Sequence, residues 1–352
     1  MMSTLKPLLL LALSTVFACS APVTPQIAAA AQPPGAAGEA AKDSGADDDE
    51  PAPSDVADAR MDARVPQTLH VRPNELVLVG AGDIATCSGQ GDEQTGQQVQ
   101  QMLAASRNAW AFTTGDNAYP DGSMEQFRQC YEPAWGAFKQ RTIPTVGNHD
   151  WRTPNAAGFR STFAGRFSQD GPLWFAQDIE GMGDDGVPAK WRVVVLDSDC
   201  DLVDCSESGA QARWLKAELK RQQDVNQRCS VVLFHHPRFS SGPHGDATFM
   251  APLWKQLAAA GVDLVVNGHD HIYERFPAMS ADGAVDVKGI PSIIAGTGGK
   301  SHYPAPLARA NSIFRSDNRD GVLVLRLNAN GWKGGLWATD NTVLDEHTGS
   351  CR

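Results

Sequence analysis

Five of the chain's nine histidines, His149, His235, His236, His269 and His271, stand at the ends of short apolar runs rich in β-branched residues. Asp83, Asp116 and Asn148 occupy the same kind of place, each directly after a glycine. Taken singly these residues are unremarkable, since Asp after Gly is common in turns and a lone His often only packs. Together they supply carboxylate, amide oxygen and imidazole, the mixture that hard and borderline metal ions take. Two ions about 3.5–4 Å apart act as a clamp on a phosphoryl group undergoing in-line displacement. One carboxylate must then bridge them, and roughly seven or eight protein donors complete the pair. Gly82, Gly115, Gly147 and Gly268 precede Asp83, Asp116, Asn148 and His269 and are expected to let the backbone turn sharply there.

The elements that must position these groups are legible as a pattern. Apolar runs end at Gly82-Asp83, Gly115-Asp116, Gly147-Asn148-His149-Asp150, Asp197, His235 and Asn267-Gly268-His269. Helical patterns at 92–106, 122–139, 207–224 and 247–260 separate several of them, which implies parallel sheet with crossover units. In open α/β folds ligands bind at the carboxyl ends of such strands. Later runs at 291–295, 321–327 and 332–338 have no helix between them and read as antiparallel. No internal repeat is visible.

The amino terminus is of another kind. Lys6 precedes the apolar run 7–17, then Ala18 and Cys19, which reads as a secretory signal too short to span a bilayer. Val16-Phe17-Ala18-Cys19 resembles a bacterial lipobox, with Cys19 lipidated; a plain signal peptide cut nearby is the rival reading. The expectation is an exported, periplasmic or cell-surface lipoprotein, anchored in the outer membrane if the host is Gram-negative, with membrane contact through the Cys19 lipid only. Residues 20–68 form an Ala/Pro/Asp-rich stretch that cannot bury enough apolar surface to fold, so they are expected to be a disordered tether. Residues 69–352 are then one catalytic domain of ordinary globular composition. The net charge is −11 and no basic stripe is present, which argues against nucleic acid. Without Cys19 six cysteines remain, an even number that suits disulfides in an oxidising compartment. Cys200 and Cys205 can close a small loop, and Cys87, Cys130, Cys229 and Cys351 leave three pairings open.

Gly82-Asp83, Gly115-Asp116-Asn117-Ala118-Tyr119, Gly147-Asn148-His149-Asp150, His235-His236-Pro237 and Gly268-His269-Asp270-His271 occur in that order. Over roughly residues 75 to 340 the chain resembles the calcineurin-like metallophosphoesterases, in particular the purple acid phosphatase branch. The resemblance implies a four-layer α/β/β/α sandwich, two mixed sheets flanked by helices, with a dinuclear metal site at the carboxyl ends of the strands. It implies that Asp83, Asp116, Tyr119 and His271 hold the first ion. Asp116 bridges to the second, completed by Asn148, His235 and His269. His149 protonates the leaving alcohol or contacts phosphate, Asp150 orients His149, and His244 faces the substrate. The pattern His-any-Pro selects His235 as ligand and leaves His236 in the pocket or behind a ligand.

Ala85 stands where many relatives carry a further His. Tyr119 fits the vacancy as a phenolate donor, which favours Fe(III) plus a divalent Fe, Zn or Mn; the bland reading is a core aromatic. The implied activity is hydrolysis of phosphate esters by a metal-activated hydroxide, with phosphomonoesters the first expectation. A phosphodiesterase or nucleotidase on the same scaffold is the alternative, and a non-catalytic surface lipoprotein is a third. Other chemistries find little support. No Gly-x-Ser-x-Gly elbow occurs, and Gly296-Thr297-Gly298-Gly299 lacks P-loop spacing, so it reads as a tight turn near the metal site.

Overall fold

A strand that is apolar at every position needs a core on each face, because successive side chains point to opposite sides. Strand β1 (Val77–Ala81) meets that need: Val77, Val79 and Ala81 join one hydrophobic core and Leu78 another. The computed structural model describes residues 70–168, 170–225 and 229–352. The signal-like segment, Cys19 and the whole of the expected tether lie outside them.

Strands β1, β2 (Ala109–Thr113) and β3 (Thr142–Ile143) run parallel and begin the first sheet. The chain then crosses to a second sheet. There β4 (Phe175–Met182) pairs antiparallel with β5 (Pro188–Val195), followed by β6 (Cys229–Leu233), β7 (Leu264–Asn267), β8 (Tyr273–Met279), β9 (Ile290–Ala295) and β10 (Phe314–Ser316). Finally β11 (Gly321–Asn328), β12 (Gly331–Ala338) and β13 (Val343–Ser350) return to the first sheet. The sheet orders are β13-β12-β11-β1-β2-β3 and β10-β8-β9-β7-β6-β5-β4. Both sheets are mixed, as expected. One core holds side chains from both sheets, among them Leu78, Phe112, Val193, Val231, Val266 and Leu325, and so lies between them. The helix Gly91–Ala105, the helical turns between Met124 and Arg141 and the helix Ala157–Thr162 pack on the outer face of the first sheet; Ala210–Asp224 and Ala251–Ala260 pack on the second. The result is the four-layer α/β/β/α sandwich.

Three expectations need correction. The helical run at 122–139 breaks into a short helix capped by Ser123, a π turn at Phe127–Tyr131, a helix at Glu132–Trp135 and a 3₁₀ turn at Gly136–Arg141. Pro133 has no N–H to give to the preceding turn, which prevents one continuous helix. β9 is antiparallel to β8 but parallel to β7, so it is not purely antiparallel. β4, β8, β10 and β13 were not evident. β4 and β13 are polar sheet edges, where charged side chains blunt further pairing. β8 carries Pro277 where its register shifts.

A candidate dinuclear metal centre

The candidate donors come from both sheets and meet at their carboxyl edges. The loops after β1, β2 and β3 carry Asp83, Asp116 with Tyr119, and Asn148. Those after β6 and β7 carry His235, His269 and His271. The two edges are stitched together: Gly82 N–H donates to the Ala295 carbonyl (2.8 Å) and His269 N–H to Asp83 Oδ2 (2.9 Å). Asp83, Asp116 and His269 all sit at positive φ, 58°, 51° and 73°. Left-handed backbone costs energy in residues other than glycine and tends to be kept where function demands it.

The preceding glycines therefore act differently from the expectation. Of the four only Gly115 has a positive φ, 98°; after Gly82 and Gly268 the donor-bearing residue itself takes the left-handed turn, and neither Gly147 nor Asn148 does. Gly147 is needed for close approach, since a Cβ there would lie 2.2 Å from Asp116 Oδ1.

Asp116 is at the middle of the site. Its Oδ2 lies 3.0 Å from Tyr119 Oη on one side and 3.3 Å from His235 Nε2 on the other, while its Oδ1 accepts the His149 N–H at 2.8 Å. Tyr119 Oη also meets Asp83 Oδ1 at 3.0 Å and His271 Nε2 at 3.1 Å. One hydroxyl proton thus faces two carboxylate oxygens and an imidazole nitrogen, and a phenol can serve only one acceptor fully.

His235 repeats the theme. Its Nδ1 lies 2.8 Å from the Thr114 carbonyl, which can only accept, so Nδ1 carries a proton. Nε2 then faces Asn148 Oδ1 at 2.9 Å and His269 Nδ1 at 3.3 Å. Two imidazole nitrogens this close could share one ion, each about 2.0–2.1 Å from it. Lone pairs converge here in excess of protons, and this donor set fits a pair of cations.

The proton affinities express the same demand. Burial pushes Asp83 up to about 8, with Asp116 adding to the rise and His235 opposing it. Burial alone would lower His235, but the Asp116 carboxylate beside it carries it up to about 10. Burial and the carboxylates of Asp116 and Asp83 hold the Tyr119 phenol well above its usual range. A positive charge placed among these groups reverses each of these pressures.

Around this centre, His149 directs Nδ1 at the Pro120 carbonyl (2.5 Å), which leaves Nε2 facing inward, 3.9 Å from Asp116 Oδ2. Asp150 does not orient that ring. Its buried carboxylate accepts Gly147 N–H (2.9 Å), Asn117 N–H (3.1 Å) and Asn117 Nδ2 (2.8 Å), tying the loop after β3 to the loop after β2. Asp150 comes from a neighbouring loop position and spends its oxygens on backbone donors, so the Pro120 carbonyl takes the role expected of it. The ring of His244 is exposed and lies 4.3 Å from His269 and 5.4 Å from Tyr303.

Several participants carried no signal at the level of residue type. Ser301 Oγ holds His271 Nδ1 at 2.8 Å, and Tyr303 stacks on the His271 ring at 4.0 Å. Lys300 Nζ lies 5.3 Å over the Tyr119 ring. These residues follow the Gly296–Gly299 turn, which does lie at the site: Gly298 N–H donates to the Gly82 carbonyl and Lys300 N–H to that of Asp83. A Gly-rich turn followed by Lys and Ser was the available hint.

Residues 76–273, more than half of the chain, match the model of the calcineurin-like phosphoesterase family. The chain belongs to the calcineurin-like phosphoesterases. Purple acid phosphatase 18 of Arabidopsis thaliana is 37% identical over 199 residues, covering 53% of this chain and 42% of that protein. An acid phosphatase of Aspergillus ficuum is 27% identical over 126 residues, 34% of this chain and 20% of that one. The solved structure of purple acid phosphatase PPD1 from yellow lupin seeds shares the fold, with a TM-score of 0.64 at 18% identity over 79% of this chain and 54% of that chain. So does GAP50, described as the anchor in the inner membrane complex of Plasmodium, with a TM-score of 0.62 at 16% identity over 79% and 90%. These relatives support the purple acid phosphatase branch, which implies two metal ions. This phosphoesterase spans less than half the length of the curated relatives it matches. No described helix is long and apolar enough to cross a membrane.

Proposed function

We propose that the chain is a dinuclear metal-dependent hydrolase of phosphate monoesters, resembling an acid phosphatase. The observation that carries this reading is Asp116 Oδ2, seated between Tyr119 Oη at 3.0 Å and His235 Nε2 at 3.3 Å, as a bridging carboxylate must be. Asp83, Asp116, Tyr119 and His271 would hold one ion, with Fe(III) favoured by the phenolate. Asp116, Asn148, His235 and His269 would hold a divalent Fe, Zn or Mn ion. When bound, such a pair neutralises phosphoryl oxygens and makes water acidic enough to act as a nucleophile near neutral pH.

The chain's own residues handle the leaving group. His149, fixed through Nδ1 by Pro120, presents Nε2 to the centre. As an imidazolium it passes the Nε2 proton to the departing ester oxygen while the phosphorus–oxygen bond breaks, so the product leaves as a neutral alcohol. His244 at the rim would contact the phosphate. Asp150 holds the Asn148 and Asp116 loops at fixed separation. Residues 69–352 form the catalytic domain in this reading, and residues 1–68 would export it and, through Cys19, attach it to a membrane.

The test is Asp116→Asn, because a neutral amide is a poor bridge between two cations. Loss of p-nitrophenyl phosphate hydrolysis together with at least one of two ions by elemental analysis is expected. Near wild-type turnover with two bound ions overturns the assignment. Wild-type protein that cleaves bis(p-nitrophenyl) phosphate faster than the monoester overturns the monoester preference.

A further inference from the structure

We propose that His236 is a third imidazole donor at the second metal position, beside His235 and His269. The inference rests on the dinuclear reading above and deepens it, since that reading leaves His236 without a task. One nitrogen from each of His235, His236 and His269 lies within 4.8 Å of the other two. The ring of His236 is 4.4 Å from that of His269 and 4.9 Å from that of His235.

The way His236 is held matches the way the assigned ligands are held. Imidazoles that bind metals engage an oxygen through their other nitrogen, which fixes both tautomer and ring orientation. His235 Nδ1 meets the Thr114 carbonyl and His271 Nδ1 meets Ser301 Oγ, each at 2.8 Å. His236 Nδ1 meets Ser198 Oγ at 2.9 Å, and the same Ser198 oxygen accepts the His236 N–H at 2.9 Å. With Nδ1 committed, Nε2 is the nitrogen left for an ion.

Ser198 is itself a fixed post. It is fully buried, and the preceding Asp197 is gripped by Gln211, whose Oε1 accepts the Asp197 N–H and whose Nε2 donates to the Asp197 carbonyl, both at 2.7 Å. Two residues further on, the Cys200–Cys205 disulfide closes the loop. So much anchoring is more than a packing ring needs.

A chemical consequence follows. Asp83, Asp116 and His235 form one cluster and His235, His236 and His269 another. The first is dominated by carboxylate, the second is all imidazole. Imidazole suits zinc and its neighbours, whereas carboxylate suits harder ions. A third imidazole therefore biases the second position toward Zn²⁺ over Mn²⁺ or Mg²⁺.

The test uses the metal-depleted full chain titrated with Zn²⁺ alone, and a variant that keeps a ring but loses its nitrogen. His236→Phe is expected to weaken one of two zinc equivalents by about tenfold or more, the scale of losing a metal-site partner. Two equivalents bound by His236→Phe with wild-type affinity overturn the proposal and leave the dinuclear reading intact. A wild-type chain that binds no zinc overturns both. The zinc-loaded wild-type crystal structure decides independently of the variant's folding. His236 Nε2 is expected about 2.0–2.1 Å from the second ion, and a nitrogen beyond about 3.5 Å from it overturns the proposal.

Discussion

The histidines of this centre are set by the oxygen that each Nδ1 finds: Thr114 for His235, Ser301 for His271 and Pro120 for His149. Each leaves Nε2 facing inward, so side chains of one type can serve as ligand or as acid according to what lies opposite. His149→Ala is expected to keep both ions and lower turnover on alkyl phosphates by about 10²–10⁴-fold. An activated aryl ester should suffer less, because its leaving group hardly needs the proton; equal loss on both would assign His149 to phosphate binding. Asp150→Ala should behave differently. It strands the buried N–H groups of Gly147 and Asn117, at about 1–3 kcal/mol each, so thermal stability and metal affinity should fall together. Intact stability and metal content with an altered pH–rate profile would return Asp150 to His149. Tyr119 tests the identity of the first ion. Phenolate on Fe(III) absorbs in the visible, so the native protein should be coloured, and Tyr119→Phe should bleach it while the ring still packs. A colourless, fully active protein containing zinc or manganese but no iron refutes the iron assignment.

Elements matter here chiefly through how their ends are shaped. β1 and β7 are buried throughout and β2 at all but Trp110, and each is followed within three residues by a non-glycine residue at positive φ that carries a candidate donor. Strain of this kind persists only where surrounding structure over-determines it. Here the cross-sheet bond from His269 N–H to Asp83 Oδ2 and the Asp150 clamp supply that constraint. Gly147→Ala probes the arrangement at one atom. Its Cβ would lie 2.2 Å from Asp116 Oδ1 and 2.3 Å from Asp116 N, so the carboxylate proposed as the bridge and the backbone that carries it must move. The core is untouched, so far-UV circular dichroism should be unchanged while activity falls by about 10²-fold, the usual cost of a 1 Å misplacement. Wild-type activity in this variant would show that Asp116 has room to shift and is not the fixed bridge.

At the scale of the whole molecule, disulfides join distant parts of the chain. Cys87–Cys130 links the loop after β1 to the π turn, and Cys229–Cys351 links the start of β6 to the carboxyl terminus. Cys200–Cys205 closes the short loop read from the sequence. All six cysteines outside Cys19 are paired, which agrees with export to an oxidising compartment. The proposed anchor, Cys19, lies outside the described residues and is tested on its own. Cys19→Ala should release the protein from the membrane fraction in a host that processes lipoproteins, since residues 20–68 offer little apolar surface of their own. Firm membrane association of that variant rules out the lipobox as the anchor.

The amino-acid sequence by itself determined the parallel strands that carry candidate donors, their order of chemistry and the donor set, but not the parallel pairing of β9 with β7. Buried strands write their apolar character at every position, and the donors follow directly in chain order, so both are local facts. Glycine was legible at the right positions for a partly wrong reason: the close approach of Gly147 to Asp116 depends on two loops meeting, not on the conformation of either. Only the tertiary structure decided that Asp150 clamps two loops and that Ser198 and Ser301 hold histidines. It also decided which of three cysteine pairings forms. Ser198 and His236 are 38 residues apart, and Cys229 and Cys351 are 122 apart. The polar edge strands β4 and β13 escaped notice because one face of each carries side chains chosen for water. The centre itself is a joint between two sheets, and no local pattern records which strand ends will face each other across a shared core.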